Sequence, residues 1–167
     1  MPPPSLSSRP LRLRVYPAAV LRQQCEPLTQ FGKPAASLCD AMLAIMRRNH
    51  GIGLAAPQVG LSLRLLVADI GDGPRCLINP ELSLLPGNET TSEGCLSLPG
   101  LSVDVSRARI VEVQAQDPEG KPLRFTARGL LARVIQHEVD HLNGVLIIDH
   151  RRAGEPPHKM TPGSLSL

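Results

Sequence analysis

The chain has 167 residues, 42% of them hydrophobic, which suffices for one domain with a sizeable core. Its net charge of +3 advertises no polyanionic partner, and one Tyr, two Phe and no Trp supply no platform for stacking bases, so direct nucleic-acid readout is excluded. The four cysteines, at 25, 39, 76 and 95, form no Cys-x-x-Cys pair, and there is no apolar signal or membrane-spanning segment. A disulfide framework is therefore disfavoured, and a reducing, cytoplasmic compartment is expected.

Residues 1–11 are rich in Pro and Ser and precede the first acid, Glu26. They predict a disordered tail in front of a folded domain over 12–150. Leu38, Met42, Ile45 and Met46 mark an amphipathic helix after Pro34, with Arg47 and Arg48 in its last turn and an end near Gly51. The stretch from Gly51 to Gly60 follows. Its small residues, Gly53 among them, let a substrate or a second backbone come close, and Gln58 offers an amide that can stabilise a developing oxyanion. It lacks the Gly-Lys-Ser/Thr of a P-loop and the third Gly of a dinucleotide fingerprint, so phosphate binding is disfavoured.

Leu63 to Ala68 and Cys76 to Ile78 read as strands. In Glu93-Gly94-Cys95-Leu96-Ser97, Cys95 follows a Gly and precedes Leu98-Pro99-Gly100, a pattern for a strand or extended loop whose backbone can approach an ion. Ile110, Val111 and Val113 alternate imperfectly with Glu112 and Gln114, Asp117-Pro118-Glu119-Gly120 makes a turn, and Leu123 and Phe125 continue the returning strand. The fold class is thus α+β, a small single domain of antiparallel strands packed around a central helix.

That helix, expected over about Gly129 to Asn143 with Gly144 as its stop, carries His137-Glu138-Val139-Asp140-His141. Residues four apart lie roughly 40° from each other around a helix and about 6 Å along it, so both imidazoles reach one ion. Glu138 stands about a quarter turn away, too far round to be a third ligand but placed to exchange protons with a metal-activated water. A catalytic site needs a third protein ligand. Downstream, Ile147 sits where a metzincin His belongs and Glu155 lies beside Pro156 and Pro157, so neither familiar zincin pattern is met. Upstream, the Cys95 thiol is the better candidate. Glu93 and Asp140 are candidates to orient the ligand imidazoles. The tail over 151–167 holds Pro156, Pro157 and Pro162 and is expected to be disordered.

Taken together, Gly51 to Gln58, Glu93 to Ser97 and His137 to Gly144 resemble, in order and separation, the three motifs of the peptide deformylase family, and the likeness extends from about Val15 to Asp149. The resemblance implies a metal-dependent hydrolase that removes the formyl group from N-formylmethionyl ends of new polypeptides and releases formate. It implies Cys95, His137 and His141 as ligands of one divalent ion, Fe²⁺ in most of the family, with Zn²⁺, Ni²⁺ or Co²⁺ able to replace it. Glu138 would act as general base and proton shuttle, and the Gln58 amide with the Leu96 N–H would receive the oxyanion. Leu130 and Val134 share the helix face of the histidines and, with Ile52, offer a pocket for the methionine side chain, although pocket wall and core look alike in sequence. Arg133 falls at the expected pocket rim. A monomer acting on nascent chains is expected, with no membrane. The tail departs from the long basic C-terminal helix through which some members contact the ribosome, which leaves transient ribosome contact without that route. Ser102 stands where some members carry an Arg. The alternatives are a broader metal-dependent amide hydrolase and a metal-binding protein with a relic site; the presence of Glu138, which metal binding does not require, speaks against the second.

Overall fold

The computed structural model describes residues 10–151, 154–160 and 165–167. Residues 1–9 of the expected N-terminal tail lie outside these. Helix α1, Lys33–Arg48, starts after Gly32, whose positive φ of 84° suits a residue without Cβ, and has Pro34 in its first turn. Its spacing buries Leu38, Met42 and Met46 on one face, as the periodicity predicts, while Ile45 is only partly buried.

Strand β1, Gly53–Ala55, pairs with β2, Leu65–Ala68, which is buried throughout. Strand β3, Arg75–Leu84, extends well beyond the apolar run Cys76 to Ile78 because its second half leans on β6, Ile110–Gln116, rather than on burial of its own. Along β6, Val111, Val113 and Ala115 point inward and Glu112 and Gln114 outward. The Asp117–Gly120 turn is locked by the Asp117 carboxylate, which accepts from the N–H groups of Glu119 and Lys121, both at 2.9 Å. Strand β7, Pro122–Arg128, returns along β6 and completes a five-stranded antiparallel sheet in the order β1-β2-β3-β6-β7.

A second sheet is built on the hairpin of β4, Asn88–Cys95, and β5, Leu98–Ala108. Their register shifts between Gly94 and Cys95, so that Cys95 faces Leu98 and residues 99–101 have no β4 partner. Strands β8, His158–Lys159, and β9, Leu165–Ser166, flank this hairpin on opposite edges.

Helix α2, Gly129–Leu142, packs against strands of both sheets, which makes it the central element expected from the sequence. Gly144 ends it with φ of 73°, and a Cβ there would stand 2.7 Å from the Arg22 carbonyl oxygen. Among the described residues no helix is long and apolar enough to cross a membrane.

Two expectations are corrected. The tail over 151–167 is not uniformly without structure: β8 and β9 pair with the second sheet and Leu167 is fully buried. Its proline content hid the apolar residues Leu165 and Leu167. Cys39 on α1 and Cys76 on β3 are joined by a disulfide with their Cα atoms 6.1 Å apart, although their spacing of 37 residues carries no signature. The packing of α1 over the sheet brings them together, and nothing local to either cysteine encodes it. Cys25 and Cys95 are free.

Candidate metal centre

The last residue of β4 and one face of α2 converge on a single point. Cys95, His137 and His141 are all buried and each offers one ligand atom, these atoms lying within 4.8 Å of one another. Cys95 Sγ and His141 Nε2 are 3.3 Å apart, and the two imidazole rings meet edge to face with centroids at 5.0 Å. The i, i+4 spacing places the two rings, and the end of a strand places the thiol, so three side chains from two rigid elements define the site.

Its electrostatics fit a cation. His137 Nε2, His141 Nδ1 and both carboxylate oxygens of Glu138 are buried without a hydrogen-bond partner among the described residues. Buried polar atoms are rarely left so, and a cluster of them marks a place where an ion and water complete the structure. Burial pushes the Cys95 thiol up to about 12, with the nearby Glu138 charge adding to the effect. Burial likewise holds His141 well below its ordinary value, reinforced by His137, so this imidazole keeps a free lone pair at neutral pH. Two imidazoles four residues apart on one helix and a thiol that ionises once a cation arrives suit Zn²⁺, Fe²⁺ and their neighbours. Burial raises the Glu138 carboxyl well above its usual range, and the Glu93 charge raises it further. A carboxylate so placed takes up a proton readily.

Around this centre lies a network that holds it in place. Glu93, fully buried on β4, accepts from His137 Nδ1 at 3.0 Å, which fixes that ring with Nε2 turned toward the site. Glu93 also accepts from Arg107 at 2.9 and 3.1 Å and from Arg133 at 2.5 Å. Burial works to raise its pKa, but the bonds from His137 and Arg107 outweigh it and hold the carboxyl at about 2. Asp140 accepts from Arg107 at 2.6 Å and sits 2.8 Å from His150 Nε2. Of the two acids expected to orient a ligand, Glu93 therefore does so directly and Asp140 only through Arg107.

Gln58, on the 3₁₀ turn Ala56–Val59 that follows β1, is fully buried and held at both ends. Its Oε1 accepts from the Ala55 N–H at 2.9 Å, and its Nε2 donates to Ser97 Oγ at 3.2 Å and lies 3.7 Å from Cys95 Sγ. Gly53 lies against α2, where a Cβ would come within 2.5 Å of Glu138 Oε1 and 2.8 Å of Val134 Cγ1. Only glycine permits this approach. Ile52 and Val134 meet in one apolar cluster with Ala68 and Ile70.

Two candidates fall elsewhere. Leu130, in the first turn of α2, is 38% exposed and stands outside the cluster that holds Val134, while its neighbours Leu131 and Ala132 pack into the core. Arg133 is not at a rim: it is 5% exposed, and its guanidinium donates to Glu93 and to the carbonyls of Val105 and Glu89. A buried guanidinium is stable only when paired in this way, which leaves none of it for a peptide. Arg107 and Ser97 escaped the sequence reading. Arg107 has a signal in hindsight: it shares the inward side of β5 with Val103 and Val105, two residues apart, where a charge asks for a partner.

Residues 10–156 match the family model for polypeptide deformylase. The peptide deformylase of Pelotomaculum thermopropionicum is 45% identical over 130 residues, 78% of this chain and 84% of the relative. The crystal structure of the Thermotoga maritima peptide deformylase superposes with a TM-score of 0.83 at 42% identity, covering 87% of this chain and 99% of that one. A Synechococcus elongatus peptide deformylase in complex with actinonin gives 0.82 at 44% identity, over 87% and 81% of the two chains. With the ligand cluster, the α+β fold and the sequence likeness all in agreement, this chain belongs to the polypeptide deformylase family, hydrolases that remove the formyl group from N-formylmethionyl peptides.

Proposed function

We propose that Cys95, His137 and His141 hold one divalent ion, Fe²⁺ in the cell with Zn²⁺, Ni²⁺ or Co²⁺ as possible replacements, and that the site deformylates nascent chains in the cytoplasm as a monomer. The observation that carries this reading is the buried set of three convergent ligand atoms beside a Glu138 carboxylate whose two oxygens have no partner among the described residues. A divalent ion bound there supplies Lewis acidity that makes water nucleophilic near neutral pH.

The protein's own groups do the rest. Glu138 takes the proton from the attacking water and returns it to the departing amine, a task suited to a carboxyl whose pKa burial has raised. Gln58, kept in one orientation by Ala55 and Ser97, aims an amide N–H at the oxygen that gains charge when the formyl carbon becomes tetrahedral. The Leu96 backbone N–H, released from the β4–β5 ladder by the register shift beside it, is the second donor. Ile52, Ala68, Ile70 and Val134 form an apolar seat for the methionine side chain. Gly53 leaves the substrate backbone room beside Glu138. Leu130 and Arg133 have no part in this reading.

The test is formate release from a formyl-Met peptide by protein loaded anaerobically with Fe²⁺, beside a Glu138→Ala variant and an acetylated peptide. Release that requires both Glu138 and the formyl group is expected. Equal turnover of the acetylated peptide would instead point to a broader amide hydrolase, and no turnover by metal-loaded protein to a relic site.

A further inference from the structure

We propose that the described residues 155–160 and 165–167 belong to an autoinhibitory strap, whose segment Leu165–Leu167 occupies the peptide cleft and seats Leu167 in the methionine pocket. The inference rests on the pocket reading given above, and its test is built to fail separately from that reading.

Backbone pairing, its continuation at Leu167 and the packing of one side chain place the segment. First, β9 runs parallel to β4 with Leu165 beside Glu93 and Ser166 beside Gly94. This is strand addition to the edge that ends in Cys95, the mode by which an extended peptide is gripped through its backbone. Second, the Leu167 N–H donates to the Gly94 carbonyl at 3.1 Å, and the Leu96 N–H donates to the Leu167 backbone oxygen at 3.3 Å. The strap therefore consumes the N–H assigned to the oxyanion. Third, the Leu167 side chain is fully buried, clustered with Ala68 and Val134 and packed against Ile52 and Ile70. Leucine and methionine are close in volume and exchange well in apolar sites, so Leu167 fills the seat of a substrate side chain.

The rest of the strap is fastened nearby. His158–Lys159 pairs with Leu101 and Ser102 of β5, and the Met160 N–H donates to the Gly100 carbonyl at 3.1 Å. Met160 and Leu165 close over Gly94, where a Cβ would meet Met160 Cε at 3.0 Å and the Leu165 carbonyl oxygen at 3.1 Å. The family match covers residues 10–156, so Met160 and Leu165–Leu167 lie beyond it. A tethered competitor acts at an effective concentration in roughly the millimolar range, and weak or short ligands lose to it while a well-matched formylmethionyl end displaces it.

The test compares the full chain with one ending at Gly154 and with two full-length variants, Leu167→Asp and Leu167→Met. If the strap is seated nine-tenths of the time, KM for a formyl-Met tripeptide falls about tenfold in the truncated and Leu167→Asp proteins with kcat unchanged, and Leu167→Met keeps the parent KM. An unchanged or raised KM in Leu167→Asp overturns the proposal, as it would if Leu167 were only part of the pocket wall. Amide hydrogen exchange on metal-free protein supplies the readout that does not depend on turnover. The Leu96 amide is expected to exchange faster in Leu167→Asp than in the parent, and equal protection overturns the strap. If no form of the protein releases formate but Leu96 is deprotected by Leu167→Asp, the deformylase reading fails and the strap stands.

Discussion

Helices α1 and α2 each turn one face to the interior, and the two faces are chemically opposite. The buried face of α1 is Ala35, Leu38, Cys39, Met42, Leu43 and Met46, and it packs on β1 and β2 with no charged side chain among them. The buried face of α2 includes Arg133, Gln136, His137, Glu138 and His141. Gln136 and Arg133 spend their polarity on neighbouring strands, Gln136 by exchanging hydrogen bonds with the Ala108 N–H and carbonyl. His137 and His141 keep ligand atoms free, and Glu138 keeps its whole carboxylate free. One helix is built for stability; the other holds unfavourable groups where the chemistry needs them.

The contrast can be broken at its sharpest point. Glu138→Ala should lower kcat by about 10²–10⁴, the usual weight of a general acid–base group, while thermal stability holds or rises because an unpartnered buried carboxylate has been removed. A loss of stability in calorimetry would mean that Glu138 is a structural anchor instead. Glu93→Ala makes the opposite prediction within the same site. It strands Arg107 and Arg133 without their shared acceptor and should cost about 3–5 kcal/mol in urea unfolding, with weakened metal retention as His137 loses its fixed orientation. On the other helix, Met42→Ala removes a fully buried side chain and should cost about 2–5 kcal/mol while the kcat of the folded fraction is unchanged.

The smallest effect lies at the surface near the end of α2, where Arg22 forms a bidentate pair with Asp149. Burial works to raise the Asp149 carboxyl, but the bonds from Arg22 and from the Leu146 N–H outweigh it and hold it below its usual value. The resulting stability is present above the ordinary carboxylate pKa and is lost as pH falls through the depressed one. Because both partners are more than a third exposed, Asp149→Asn should cost no more than about 1 kcal/mol at neutral pH, with the difference from the parent vanishing in acid melts.

What could be read from the sequence divides along similar lines. The two histidines, Glu138 and the end of α2 at Gly144 depend on spacing within one helix, so a local pattern sufficed. Gln58 and Cys95 lie in short Gly-containing segments whose chemistry is also local. The bond of Glu93 to a ligand histidine was expected, but its arginine partners were invisible because Arg107 and Arg133 reach it from different elements, and a charge on a helix reads as solvated until its neighbours are known. Strand β5 was hidden for another reason. Leu98-Pro99-Gly100 fits either a strand or an extended loop, and its Pro and Gly give no sign of the 11-residue strand they open. The disulfide and the seat of Leu167 depend on contacts between distant segments, which no single window of sequence contains.

The register shift at the tip of the β4–β5 hairpin bears on which changes of chain length this protein can absorb. Side chains alternate along a strand, so one residue inserted between Asn88 and Gly94 would turn Cys95 to the opposite face and remove a ligand without altering its identity. The slack is already used at residues 99–101, on the far side of the turn. The exposed loop around Gly71 and Gly73, where a side chain would meet open space, carries no such constraint. Insertions and deletions along a lineage should therefore collect at that loop and be absent from the eight residues of β4.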